Sequence, residues 1–253
     1  MADLTVAAWN IEKLGKQKLA CGSLVQTQVG KALESFDILV LIEIQQSKNI
    51  VEFCAKFVSG MPKNIKAHLS EYLGCKERML WLYNSNRVRL VSASAQKPLA
   101  NQMRMASSCK FLFKNTFVKL TALHLTPSKQ GQHLENVLKV HVKKSFIHKM
   151  RKLFPYLFTP QLSNIYFGDF NFLRKATLDT FLVNTLLINC GTHEPTMVDK
   201  KHTNDTAICK ATSSKFIYNF RVIPPPLISN PQELSDHCCI SFQVTLDPPS
   251  KKK

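Results

Sequence analysis

The feature that most constrains this chain is a series of short apolar runs that each end in a polar residue of the kind used in catalysis. Val6-Ala-Ala-Trp-Asn10 ends on Asn10, Leu39-Val-Leu-Ile-Glu43 on Glu43, and Leu120-Thr-Ala-Leu-His124 on His124. Tyr166-Phe-Gly168 runs into Asp169 and Asn171, and Asp236-His237 precedes Cys238-Cys-Ile-Ser-Phe242. Apolar runs of this length, bounded by turn signals, read as buried strands. One polar residue after a strand is ordinarily a cap or a turn. Repeated at several strand ends, such residues can bring carboxylates, amides and imidazoles to one sheet rim.

Further strands are expected at 78–83, 88–93, 109–113, 117–125, 165–168, 216–223 and 239–246, with the first two at 4–11 and 37–44. Helices are expected at 22–35, 47–58, 179–187 and, before Pro155, at 132–153. Paired strands with covering helices, followed by more strands, give a layered mixed α/β or α+β domain. No solenoid repeat or low-complexity linker divides the chain, so one domain is expected over 1–247, with a basic tail at 248–253.

The 253 residues are 45% hydrophobic and carry a formal charge of +17. That balance favours a polyanionic partner, nucleic acid first and an anionic membrane second. Residues 139–152 alone hold Lys139, Lys143, Lys144, Lys149, Arg151 and Lys152 with no acid. They form either a solvated helix face or a phosphate-contacting one. No apolar run reaches the ~18 residues of a membrane span, and no basic n-region opens the chain. An intracellular protein of the cytoplasm or nucleus is expected, or a secreted one whose signal has been removed, and a monomer. The scattered cysteines fit reduced thiols. Cys190, His193, His202 and Cys209 can be imagined as a zinc set, but their spacing fits no structural zinc pattern well.

The polar strand ends suit phosphodiester hydrolysis. A hard cation takes carboxylate and amide oxygens and neutralises phosphoryl charge. Histidine near neutral pH serves as base to water or acid to the leaving oxygen. No glycine-rich phosphate loop or cysteine nucleophile is visible.

Trp9-Asn-Ile-Glu12, Leu41-Ile-Glu43, Gly168-Asp-Phe-Asn171 and Ser235-Asp-His237 resemble the signature motifs of the endonuclease/exonuclease/phosphatase superfamily. Ser70-Glu71, Leu73-Gly74, Lys76-Glu-Arg78 and Leu123-His-Leu-Thr-Pro-Ser128 are similar to the deoxyribonuclease I branch. The resemblance runs from Thr5 to Leu246 in motif order. It implies a four-layered α/β/β/α sandwich and a Mg²⁺- or Mn²⁺-dependent endonuclease acting on DNA. By the same likeness Asn10 and Glu43 hold the metal, with Asp236 close by. Asp169 and Asn171 orient water and phosphate, and His124 and His237 are the acid–base pair. Glu77 orients His124. Arg104 contacts phosphate, and Arg78 is a second substrate-binding candidate.

Two departures accompany the resemblance. The family's Tyr-Asp string, whose Asp supports the second histidine, is matched here by Tyr218-Asn219, which makes Asn219 the expected partner of His237. An Asn orients an imidazole but does not offset its cationic charge. Asp205 is a stand-in that its spacing argues against. Cys75 takes the place of an aromatic that packs in the DNA minor groove. Two other readings stay open: a phosphoinositide or sphingomyelin phosphatase or phospholipase of the same fold, and a nucleic-acid-binding pseudo-nuclease motivated by Asn219.

Overall fold

A computed structural model of the chain describes residues 3–72, 76–96, 106–125, 161–171, 187–190, 196, 205–210, 216–223, 235 and 237–246. The expected helices at 132–153 and over most of 179–187, the tail, Cys75, Arg104 and Asp236 lie outside the described residues.

The strands are β1 (Leu4–Leu14), β2 (Ile38–Gln45), β3 (Ile65–Leu69), β4 (Glu77–Asn84), β5 (Arg89–Gln96) and β6 (Ala106–Phe113). They continue with β7 (Thr116–His124), β8 (Gln161–Asp169), β9 (Leu187–Asn189), β10 (Asp205–Lys210), β11 (Ile217–Ile223) and β12 (Cys239–Val244). They form two six-stranded sheets, ordered β11-β12-β1-β2-β4-β3 and β5-β6-β7-β8-β10-β9. Both sheets are mixed: β1/β2 and β7/β8 pair in parallel, and the other pairs are antiparallel.

Strand alternation sets the layers. On β4, Met79 and Trp81 face the second sheet, while Leu80 and Leu82 face the helices. The inter-sheet core centres on Trp81, whose ring meets Phe167 edge-on at 5.9 Å, and Phe167 meets Phe242 at 5.5 Å. The buried indole N–H of Trp81 donates to the Ser107 hydroxyl at 2.9 Å. On the outer face of the first sheet lie α1 (Leu24–Ser35) and α2 (Ile50–Ser59). Ser23 starts α1 by accepting the Gln26 N–H at 3.1 Å, and Val25, Val29 and Leu33 form its buried stripe. These layers make the expected α/β sandwich. No helix among the described residues is long and apolar enough to cross a membrane.

The structure adds strands that the sequence pattern does not announce. β3 and β9 are short edge strands, and Leu187, expected to end a helix, opens β9. Asp205 to Cys209 in β10 are buried in succession, so no polar alternation marks them.

Candidate active site

The sheet registers carry the polar strand ends to one edge of the sandwich. In the second sheet His124 pairs with Asp169 across β7/β8, and Asp169 pairs with Asp205 across β8/β10. In the first, Asn10 sits beside the end of β2 that carries Glu43, and Glu77 opens β4. His237 lies just before β12, where that strand approaches β1. Hydrogen bonds join the two rims.

Asn10 and Glu43 are shaped by bulges at the same level of two parallel strands, where the β1/β2 register shifts after Asn10. Glu43 takes a left-handed φ of 66°, rare for a residue with a Cβ and worth ~1–2 kcal/mol of strain. The bulge turns its carboxylate onto Asn10 and onto the Lys13 backbone: Asn10 Nδ2 donates to Oε1 at 3.0 Å and Lys13 N–H to Oε2 at 3.2 Å. Asn10 Nδ2 also donates to Asp169 Oδ2 at 3.0 Å. Both neighbours are carboxylates, so the amide nitrogen must face them and Asn10 Oδ1 is turned away. That oxygen is buried and has no hydrogen-bond partner among the described residues. A buried, orphaned amide oxygen on a residue whose nitrogen side already holds two carboxylates is a candidate ligand for a hard divalent cation.

Glu43, Glu77 and His124 also bring potential ligand atoms within 4.8 Å of one another. His124 suits a different task. Its Nδ1 lies 2.7 Å from Glu77 Oε2, and its Nε2 lies 3.3 Å from Asp169 Oδ2 and 3.4 Å from Glu43 Oε1. Burial alone lowers an imidazole pKa. Hydrogen bonds to Asp169 and Glu77, with their charges, outweigh it and raise His124 to about 9. With carboxylates at both nitrogens, the ring is an imidazolium and a proton donor. Burial pushes the other way on Asp169, yet the histidines and the Asn171 amide hold it down at about 2.

The second histidine is held differently. His237 Nδ1 lies 2.8 Å from Asp205 Oδ2, and its Nε2 is 3.8 Å from Asp169 Oδ2, beyond hydrogen-bond range. Burial raises the Asp205 carboxyl, partly offset by the His237 ring, with Asp169 pushing it up and Thr196 pulling it down. Thr196 Oγ1 accepts the Asp205 N–H at 2.9 Å, and its carbonyl accepts the Cys238 N–H at 2.6 Å. The Trp9 indole donates to the His237 carbonyl at 3.1 Å, and the Ser235 hydroxyl bridges the Asn10 carbonyl and the His237 N–H.

The structure therefore gathers Asn10, Glu43, Glu77, His124, Asp169 and His237. Asn171 follows with a left-handed φ of 51°, its N–H on Asp169 Oδ1 at 2.8 Å and its Nδ2 on the Leu125 carbonyl at 2.8 Å. Two expectations are corrected. Asn219 is exposed on β11 and donates to Gln243 Oε1 at 2.6 Å; the partner of His237 is Asp205. Arg78 alternates with Glu77 on β4, which sends its side chain to the helix face, where Nε donates to the Ser70 carbonyl at 2.6 Å. Thr196 escaped the motif reading, and Asp205 entered it only as a stand-in set aside on its spacing, because neither ends an apolar run. A cleft of about 630 Å³ between α2 and β3, lined by Val51, Cys54, Met61, Ile65 and Leu80, holds none of the acid–base residues.

No family model and no curated protein matches this sequence. Solved structures do. D. rerio TDP2 complexed with single strand DNA product superposes with a TM-score of 0.66 at 15% identity, covering 97% of this chain and 100% of that one. An endonuclease/exonuclease/phosphatase family protein from Bacteroides thetaiotaomicron gives 0.65 at 14%, over 97% and 98%. The human Nocturnin catalytic domain with bound sulfate anion gives 0.58 at 16%, over 96% and 93%. At such identities the likeness is one of architecture, and this chain has the fold of the endonuclease/exonuclease/phosphatase proteins.

Proposed function

We propose that the protein is a Mg²⁺- or Mn²⁺-dependent phosphodiesterase that cuts DNA endonucleolytically. The observation that carries the reading is the pairing of Glu43 and of the buried Asn10 Oδ1, which has no hydrogen-bond partner among the described residues, with two carboxylate-held histidines on the facing rim. Asn10 and Glu43 would hold the ion, with Asp236 as the further candidate ligand. When bound, the ion neutralises charge on the phosphoryl oxygens.

The chain's own groups divide the proton work. Asp205 accepts the Nδ1–H of His237, which fixes the tautomer and leaves Nε2 basic, so His237 takes the proton of the attacking water. Asp169 and Asn171 position that water and the phosphate. His124, cationic at neutral pH, donates to the phosphoryl group or the leaving oxygen. Glu77 holds its ring.

DNA is favoured by the charge of +17, which supplies salt-sensitive, sequence-independent affinity. The single-stranded DNA product bound by D. rerio TDP2 points the same way. Arg104 and the basic segment 139–152 are the proposed phosphate contacts. A pseudo-nuclease was suggested only by Asn219, and Asp205 on His237 removes that motive. The test presents supercoiled plasmid, single-stranded oligonucleotide, phosphoinositide vesicles and sphingomyelin vesicles in parallel, each with Mg²⁺ and with EDTA. Metal-dependent cutting of DNA is expected. Turnover of lipid alone would transfer the site to a phosphatase or phospholipase.

A further inference from the structure

On the far side of β10 from Asp169, Cys190 follows β9 and Cys209 lies within β10, and their sulfurs are 3.4 Å apart. The approach is held by backbone and side-chain bonds. The Cys190 N–H donates to the Ala207 carbonyl at 2.7 Å, and Thr206 Oγ1 donates to Asn189 Oδ1 at 2.6 Å. Cys190 is half-buried, and Cys209 is buried. A disulfide bond is ~2.05 Å long, so closure needs the sulfurs to approach by roughly 1.4 Å.

We propose that Cys190 and Cys209 are a disulfide-forming pair that reacts with peroxide. The thiolate of Cys190 attacks one oxygen of hydrogen peroxide and the O–O bond breaks. Hydroxide leaves and takes up the proton shed by Cys190 as water, and Cys190 carries a sulfenic acid. The Cys209 sulfur then attacks the Cys190 sulfur, the S–O bond breaks, and hydroxide leaves with the Cys209 proton as a second water. Two thiols lose two electrons, and one peroxide becomes two waters. Either sulfur can donate in this contact; with Cys209 donating, the Cys190 thiolate is favoured and its pKa lowered while Cys209 is raised, which matches the order of attack.

The bond closes a loop of about 20 residues. That loop carries Thr196 and Asp205, the residues bracketing His237 and Cys238. Oxidation therefore fastens the segment behind one histidine of the candidate site, at a point outside its chemistry.

The experiment treats reduced full-length protein with stoichiometric hydrogen peroxide, then alkylates, digests without reductant and maps the peptides by mass. The expected result is a Cys190–Cys209 cross-link, loss of two alkylatable thiols and a rise in Tm of roughly 5 °C or more. The half-exposed variant Cys190→Ser should lose all three effects and fold normally. Cys190 staying alkylatable while exposed Cys21 is consumed would overturn the proposal. So would one tightly bound Zn²⁺ in the reduced protein that Cys190→Ser abolishes, since the pair would then be a metal site.

Discussion

Asp205 and His237 lie 32 positions apart in the chain and meet at 2.8 Å, carboxylate oxygen to Nδ1, both of them buried. The contact makes a histidine–carboxylate pair at one end of the candidate site. It also makes Asn219, which the Tyr218-Asn219 string suggested, an ordinary surface residue. Asp205→Asn keeps the shape but no longer fixes the tautomer or supports positive charge, so cleavage should fall at least ~10²-fold. Asn219→Asp should leave rate and pH profile unchanged. Steady-state nicking rates of the two folded variants decide the matter, and the opposite ranking would return the role to position 219.

His124 is buried and carries carboxylates at both nitrogens. His124→Ala should lower the cleavage rate at least ~10²-fold, the usual worth of a proton-transfer group. A folded variant cutting at the wild-type rate would make His124 a structural residue.

The same surroundings predict how stability depends on pH. His124 has a pKa of about 9 in the folded protein against ~6.5 unfolded. Its contribution is therefore fully present below pH ~6.5 and is lost as pH rises through about 9, an effect on the order of 2–4 kcal/mol. Asp169, held at about 2, contributes above pH ~3.8 and loses its share as pH falls through about 2. The two shifts are one ion pair seen from its ends and do not add. Urea denaturation in EDTA from pH 6 to 10 should show the alkaline decline in wild type and not in His124→Gln. Parallel profiles for the two proteins would contradict it.

Gly168 lies one residue before Asp169 with φ +118°, and a Cβ there would meet the Leu123 carbonyl oxygen at 2.5 Å. Both β7 and β8 are committed to their ladder at this point, so neither backbone can give way. Gly168→Ala should destabilise the protein by roughly 2–4 kcal/mol, read from the denaturation midpoint. A loss below ~0.5 kcal/mol would mean that the strands separate easily beside His124.

The gathering of Asn10, Glu43, His124 and Asp169 was legible because each closes an apolar run, and parallel pairing brings such positions to a common edge, although β1 and β2 run on through their bulges past Asn10 and Glu43. Asp205 was weighed only as a stand-in and set aside, for the converse reason. It begins its strand, and the strand is buried throughout, so it shows neither an end nor an alternation. Its role depends on an antiparallel register with β8, a property of the assembled sheet. Arg78 misled because adjacency to Glu77 in sequence means opposite faces in a strand. The left-handed turn at Glu43 leaves no mark in residue type, since Glu is not a residue that favours it.

The central claim is that Asn10 and Glu43 serve a divalent ion at a phosphodiester-cleaving centre. The most direct measurement is the rate of supercoiled-plasmid relaxation across a Mg²⁺ titration, for wild type and Glu43→Gln, with EDTA as zero. Wild type should saturate with Mg²⁺ and stop in EDTA. Glu43→Gln should need at least ~10-fold more Mg²⁺ for half its maximal rate, because an ionised oxygen ligand has become a neutral one. Relaxation that persists in EDTA, or an identical Mg²⁺ dependence in the two proteins, would contradict the claim.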